Sequence, residues 1–195
     1  MKLQNLCVYC GSNPGNRPEY EAEARRFGRA LVEQDIGLVY GGASIGLMGL
    51  VADTVLAAGG AVTGVIPRAL LRKEVVHHGL TELVITESMH ARKAKMAQLA
   101  DAFVALPGGI GTFEELFEIW TWAQLGFHRK PCALFNARGY FDPLVQFLDH
   151  AVEEGFLKPM HRSMLLVSDS PENLLEALRS YRPPVIEKWV GAEET

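Results

Sequence analysis

Short apolar segments alternate with helix-period segments from one end of this 195-residue chain to the other. That alternation constrains the fold more than any other feature. The apolar segments are Leu3–Tyr9, Gly37–Tyr40, Ala61–Ile66, Glu82–Thr86, Ala102–Leu106, Pro131–Phe135 and Met164–Val167. Between them, helical spacing predicts Glu19–Gln34, Leu47–Ala58, His90–Ala100, Thr112–Gln124, Tyr140–Glu154 and Pro171–Ser180. Near-continuous apolar strands joined through helices imply an α/β fold. Its sheet is doubly wound and mainly parallel, with helices on both faces. Ligands in such folds sit outside the carboxyl ends of the strands.

Three glycine-rich turns follow predicted strands and fall on that edge. They are Cys10-Gly11-Ser12-Asn13-Pro14-Gly15, then Gly41 to Gly49, then Pro107-Gly108-Gly109-Ile110-Gly111-Thr112. A glycine turn that opens a helix leaves backbone N–H groups without intrahelical partners, and the helix dipole adds positive potential there. None of the three has dinucleotide Gly-x-Gly-x-x-Gly spacing or a triphosphate Gly-Lys-Ser/Thr, so a monophosphate suits them better than NAD or ATP. Glu114 and Glu115 follow the third turn. Thr112-Phe113-Glu114-Glu115 fits a capping box, with Glu115 reaching back to the Thr112 N–H. A cap and a catalytic carboxylate are compatible roles.

Met89-His90-Ala91-Arg92-Lys93 opens the helix after the fourth strand, beside the same edge. Arg92 shares a stripe with Met89 and Met96, which covers its stem, and its guanidinium can clamp a phosphate or carboxylate with two parallel bonds. Lys95 reads as a solvated cation, and Glu74 as one acid in a loop. Trp120 and Trp122 read as core or interface rather than a base-stacking platform. His77-His78 lack a carboxylate at ligand spacing, and Cys7-x-x-Cys10 lacks a second Cys/His pair, so no metal site is expected. Buried reduced thiols are the better reading of the cysteines.

A net charge of −4 and a pI near 5.9 argue against a nucleic-acid surface. The apolar runs break well short of membrane-spanning length, and no secretory signal precedes Leu3, so no membrane partner and a cytoplasmic location are expected. The length fits one domain over residues 1–181, with an extended tail over 182–195 that begins Arg182-Pro183-Pro184.

From Cys10 to about Tyr181 the chain resembles the Lonely Guy proteins, cytokinin riboside 5′-monophosphate phosphoribohydrolases. Two signatures carry the resemblance. Pro107 to Glu115 match Pro-Gly-Gly-x-Gly-Thr-x-x-Glu, and Met89, Arg92 and Lys93 match Met-x-x-Arg-Lys. In the second turn Ala43 stands where the family usually has a third glycine. The resemblance implies a single Rossmann-like catalytic domain, a homodimer or larger assembly, and a small-molecule nucleotide as substrate. It implies no organic cofactor and no metal. By the same resemblance Arg92 and Glu115 are the catalytic pair. Gly108, Gly109, Ile110, Gly111, Thr112 and Glu114 hold the phosphoribosyl group, and Lys93, Glu74 and Thr121 complete the pocket. The first turn adds Gly11 and Ser12 as contacts. Expected products are a free base, cytokinin or adenine, and ribose 5-phosphate. The alternatives are a broader purine 5′-monophosphate nucleosidase and a non-catalytic nucleotide or cofactor carrier on the same fold. Relatives have also been labelled lysine decarboxylase, which the short chain and the lack of a pyridoxal-phosphate lysine context disfavour.

Overall fold

The computed structural model describes residues 2–71 and 76–184. Seven parallel strands form one sheet: β1 (Asn5–Tyr9), β2 (Gly37–Tyr40), β3 (Val62–Pro67), β4 (Glu82–Thr86), β5 (Ala102–Ala105), β6 (Cys132–Phe135) and β7 (Leu165–Ser168). Their order is β4-β3-β2-β1-β5-β6-β7. The chain winds outward from β1 to β4, returns to pair β5 with β1 from Leu6↔Ala102 to Tyr9↔Ala105, and winds outward the other way. The ends of β1 and β5 therefore flank the point where the winding reverses, which is where a doubly wound sheet opens a crevice.

Alternation within the central strands builds two cores. Leu6, Val8, Ala102 and Val104 face one side. There they meet residues of α1 (Pro18–Glu33), α2 (Gly46–Ala57) and α7 (Pro171–Ser180), including Phe27, Val51 and Leu174. Cys7, Tyr9, Phe103 and Ala105 face the other side. That side is covered by α3 (Met89–Leu99), α4 (Ile110–Gln124) and α5 (Asp142–Glu153), through Met96, Leu116 and Leu148. A period of two along each strand is what splits one apolar run between two layers. Cys7, Cys10 and Cys132 are free and buried, and burial pushes all three thiols up. The expected reduced core thiols are borne out.

Starting signals vary from helix to helix. Ser88 accepts from the Ala91 N–H to cap α3, and Ser170 accepts from Asn173 to cap α7. Pro18 and Pro171 occupy first helical positions, where a missing N–H costs nothing. Three predicted starts fall one residue late, and two are two residues out. Helix α4 begins at Ile110 with Gly109 as its cap residue, not at Thr112. Thr112 is thus the third helical residue, and the capping box with Glu115 does not form. Helix α5 begins at Asp142 rather than Tyr140. A 3-10 turn, Ala137–Gly139, precedes it, with Asn136 Oδ1 accepting from the Phe141 N–H at 2.7 Å. The sequence reading also missed α6 (Pro159–Arg162) and a 3-10 turn at Arg68–Leu70. Of the expected tail, residues 185–195 lie outside the described residues. No described helix is long and apolar enough to cross a membrane.

Candidate active site

The three glycine turns meet at the reversal point and wall one open pocket of about 600 Å³. They do not play the same part. The Gly11 N–H donates to the Pro107 carbonyl at 3.0 Å, which ties the first turn to the third. The Gly11 carbonyl accepts from the Leu47 N–H at 3.0 Å and from the Met48 N–H at 3.3 Å, which ties the first turn to the second. These bonds occupy the Leu47 and Met48 amides of α2, so the start of that helix serves mainly as a wall. Glycine is required at position 46, where φ is +58° and a Cβ would overlap the backbone of Ser12 and Asn13.

At the start of α4 the situation is reversed. Phe113 is the first residue of that helix whose N–H finds a backbone partner, the Gly109 carbonyl at 3.1 Å. The amides of Ile110, Gly111 and Thr112 precede it in the pocket wall, without partners among the described residues and at the positive end of a 15-residue helix. Two contacts hold the turn in shape. The Tyr140 hydroxyl donates to the Gly108 carbonyl at 2.5 Å, and Gly108 is so enclosed by Thr112 and Gly11 that no Cβ fits. A helix N-terminus held open in this way can take an anion such as a phosphate.

One and a half turns along the same helix, Glu115 reaches the pocket opposite Arg92. Arg92 comes from the first turn of α3 and is only 6% exposed. Its Nε donates to the Val65 carbonyl at 3.1 Å and its Nη2 to the Gly41 carbonyl at 3.4 Å. The same Nη2 lies 3.7 Å from Glu115 Oε1. The guanidinium is therefore shared between the ends of β2 and β3 and the carboxylate. The two parallel bonds that a bidentate clamp requires are not formed on Glu115. Burial pushes the Glu115 carboxyl up to about 7; Arg92 pulls against that shift and neighbouring Glu114 adds to it. A carboxylate that changes charge near neutrality beside a fixed cation can accept a proton or stabilise a developing cation.

The other expected site residues divide. Gly11, Ser12, Gly108, Gly109, Ile110, Gly111 and Thr112 all line the pocket. Lys93, Glu114 and Thr121 do not. Lys93 Nζ sits 2.6 Å from Glu114 Oε1 and 2.8 Å from Glu118 Oε1, forming an ion cluster between α3 and α4. Thr121 is exposed and donates to the Phe117 carbonyl at 2.7 Å. Glu74 lies outside the described residues. Among the described residues, no three His, Cys, Asp or Glu side chains come together closely enough to hold a metal ion.

The sequence reading did not name Tyr20, Tyr140 and Met48 as walls. Met48 follows Gly46 within a turn already singled out, so adjacency could have flagged it. Nothing local marks Tyr140, whose place depends on the Ala137–Gly139 turn; Tyr20 then packs edge-on against it, ring centroids 5.7 Å apart.

Residues 48–178 match a protein family described as possible lysine decarboxylase. Over 182 residues the chain is 48% identical to a cytokinin riboside 5′-monophosphate phosphoribohydrolase of Arabidopsis thaliana, covering 93% of this chain and 84% of the relative. A protein of the same name from Rhodococcoides fascians is 48% identical over 178 residues, covering 91% and 90%. Among solved structures, the molybdenum cofactor binding protein of Rippkaea orientalis superposes with a TM-score of 0.68 at 20% identity, covering 92% of this chain and 98% of that one. That likeness extends to the fold alone.

Proposed function

The chain belongs to the cytokinin riboside 5′-monophosphate phosphoribohydrolase family, and we propose that it hydrolyses the N-glycosidic bond of such a nucleotide at the pocket where the turns meet. The observation that carries this reading is the placement of a free helix N-terminus and a buried carboxylate on one helix. Ile110 and Glu115 are separated by roughly 7.5 Å of helix rise. That is about the reach from a 5′-phosphate across a ribose to its anomeric carbon. With the phosphate on the amides of Ile110, Gly111 and Thr112, Glu115 stands beside the bond to be cut.

Breaking that bond leaves its electron pair on the base nitrogen and positive charge on the ribose. The ionised Glu115 carboxylate stabilises that charge and accepts the proton that the attacking water gives up. The water oxygen ends on the anomeric carbon, Glu115 passes the water's proton to solvent, and the departing base takes one proton up, so one water is consumed per turnover and the carboxylate is restored. Arg92 is no acid, because a guanidinium keeps its protons at any working pH. Its part is to fix the carboxylate in place. The family label of lysine decarboxylase finds no support in the site, since no lysine lines the pocket among the described residues.

Incubation with N6-isopentenyl-AMP, and separately with AMP, tests the reading by chromatography of the products. Free base and ribose 5-phosphate in equal amounts are expected. Intact nucleotide after prolonged incubation, with no base released, would contradict it. A marked advantage of the prenylated substrate assigns base preference, and equal turnover assigns a broader purine nucleotide nucleosidase.

A further inference from the structure

His77 is a buried histidine, 7% exposed, that this chemistry does not use. It follows the 3-10 turn at Arg68–Leu70 and lies outside the pocket wall. Its Nε2 sits 3.0 Å from Oδ1 of Asp53, a largely exposed residue of α2. A carboxylate only accepts, so Nε2 carries the proton of that bond. Nδ1 is buried and has no hydrogen-bond partner among the described residues. An apolar side chain would fill this space without that cost, so the Asp53 bond is what the imidazole contributes.

The backbone of Val76 and His77 grips the second glycine turn. The His77 N–H donates to the Gly42 carbonyl at 3.0 Å, and Val76 forms an antiparallel bridge with Ala43. From the other side, the Gly41 carbonyl accepts from Arg92 Nη2 at 3.4 Å. Gly41 lies so close to the guanidinium that a Cβ there would overlap Arg92 Nη2 and come within 2.7 Å of Met48 Cε. Close-packed groups of this kind pass a displacement on rather than absorb it. His77 and Arg92 thus hold the same three-residue turn from outside and from inside.

We infer that His77 is a positioning residue for the hydrolysis: tethered to Asp53, it presses the Gly41–Ala43 turn against Arg92 and so keeps Arg92 aligned on Glu115. The inference rests on Arg92 and Glu115 being the reacting pair. Because it acts on their alignment and not on the phosphate cradle of α4, its loss falls on kcat and spares KM.

The test compares His77→Leu, His77→Gln, Asp53→Ala and the His77→Leu/Asp53→Ala double variant. Each is assayed for kcat and KM with N6-isopentenyl-AMP and for melting temperature. Glutamine places an N–H near the position of Nε2, whereas leucine fills the space without one. Expected are a fall in kcat of about 10-fold or more in His77→Leu and in Asp53→Ala, and KM within about 2-fold. The double variant should be no worse than His77→Leu alone, and most activity should return in His77→Gln. Wild-type kcat in folded His77→Leu overturns the inference, as do independent losses that multiply in the double variant. If His77→Leu fails to fold, Asp53→Ala decides, since its side chain lies at the surface: normal melting with reduced kcat supports the tether and normal kcat refutes it. Glu115→Gln run alongside separates the two levels. Full activity there refutes the reacting pair and this role with it. An inert Glu115→Gln beside a normal His77→Leu refutes the positioning role alone.

Discussion

Replacing Glu115 by glutamine removes one charge from the pocket and little else. The amide keeps the length of the side chain and an acceptor oxygen for Arg92, which lies 3.7 Å from Oε1. With the carboxyl pushed up to about 7 by burial, the wild-type group is roughly nine-tenths ionised at pH 8. Nearly the whole population is therefore competent to accept a proton, and glutamine abolishes that capacity. A loss of at least about 100-fold in kcat is expected, equivalent to about 2.7 kcal/mol of transition-state stabilisation. Stability moves the other way. The folded carboxyl titrates above its ordinary value of 4.5, so the folded state holds the proton where the unfolded chain has lost it. Stability contributed by the protonated form is complete below about pH 4.5 and is lost as pH rises through about 7. At pH 8 the buried charge costs on the order of 3 kcal/mol, part of which the glutamine recovers. Melting of Glu115→Gln at pH 8 should therefore match or exceed wild type. The assay is kcat/KM with N6-isopentenyl-AMP from pH 5.5 to 8.5, with thermal unfolding at the same pH values. Wild-type kcat/KM, which reports the free enzyme, should rise through about pH 7, and the variant should be flat and low. Activity within a few-fold of wild type would leave Glu115 without a chemical role, and a collapse in melting temperature would make it structural.

Three further outcomes follow from the same geometry. Arg92→Lys and Arg92→Ala should both lose about 100-fold in kcat/KM, because an ammonium cannot meet the Val65 and Gly41 carbonyls and Glu115 together. Both should also melt earlier than wild type by scanning calorimetry, since each strands buried carbonyls that Arg92 now satisfies. Tyr140→Phe, which removes the bond to the Gly108 carbonyl but keeps the ring against Tyr20, should raise KM for the nucleotide several-fold with little change in melting temperature. Light scattering at micromolar concentration should give at least twice the chain's 21.5 kDa, because Phe113, Phe117 and Trp122 of α4 remain only partly covered and Phe147 of α5 is 65% exposed; a lone monomer would refute that assembly.

The central strands were legible because buried parallel strands are apolar on both faces, and β2 matches its expected bounds; β4, a largely exposed edge strand, matches them too. The start of α4 was not. Two glycines within Gly109-Ile110-Gly111 suppress helical propensity, and Thr112 with Glu115 imitates a cap that Gly109 supplies with backbone alone. Arg92 and Glu115 could be named from their motifs, but the bonds of Arg92 to the Val65 and Gly41 carbonyls could not, because those residues lie 27 and 51 positions away in sequence. The same holds for Lys93, Glu114 and Thr121. Their spacing places them near the pocket's helices, yet only the packing of α3 against α4 shows Lys93 neutralised by two glutamates outside its walls.

The central claim is that one helix supplies both the phosphate cradle and the carboxylate. It is tested most directly by comparing kcat/KM for N6-isopentenyl-AMP with that for the same riboside lacking its 5′-phosphate. Three charge-assisted amide contacts from Ile110, Gly111 and Thr112 should favour the monophosphate by at least about 100-fold, since remote binding energy is spent on the reacting bond. Equal cleavage of the two substrates would contradict the claim and leave the free N-terminus of α4 without a part in the reaction.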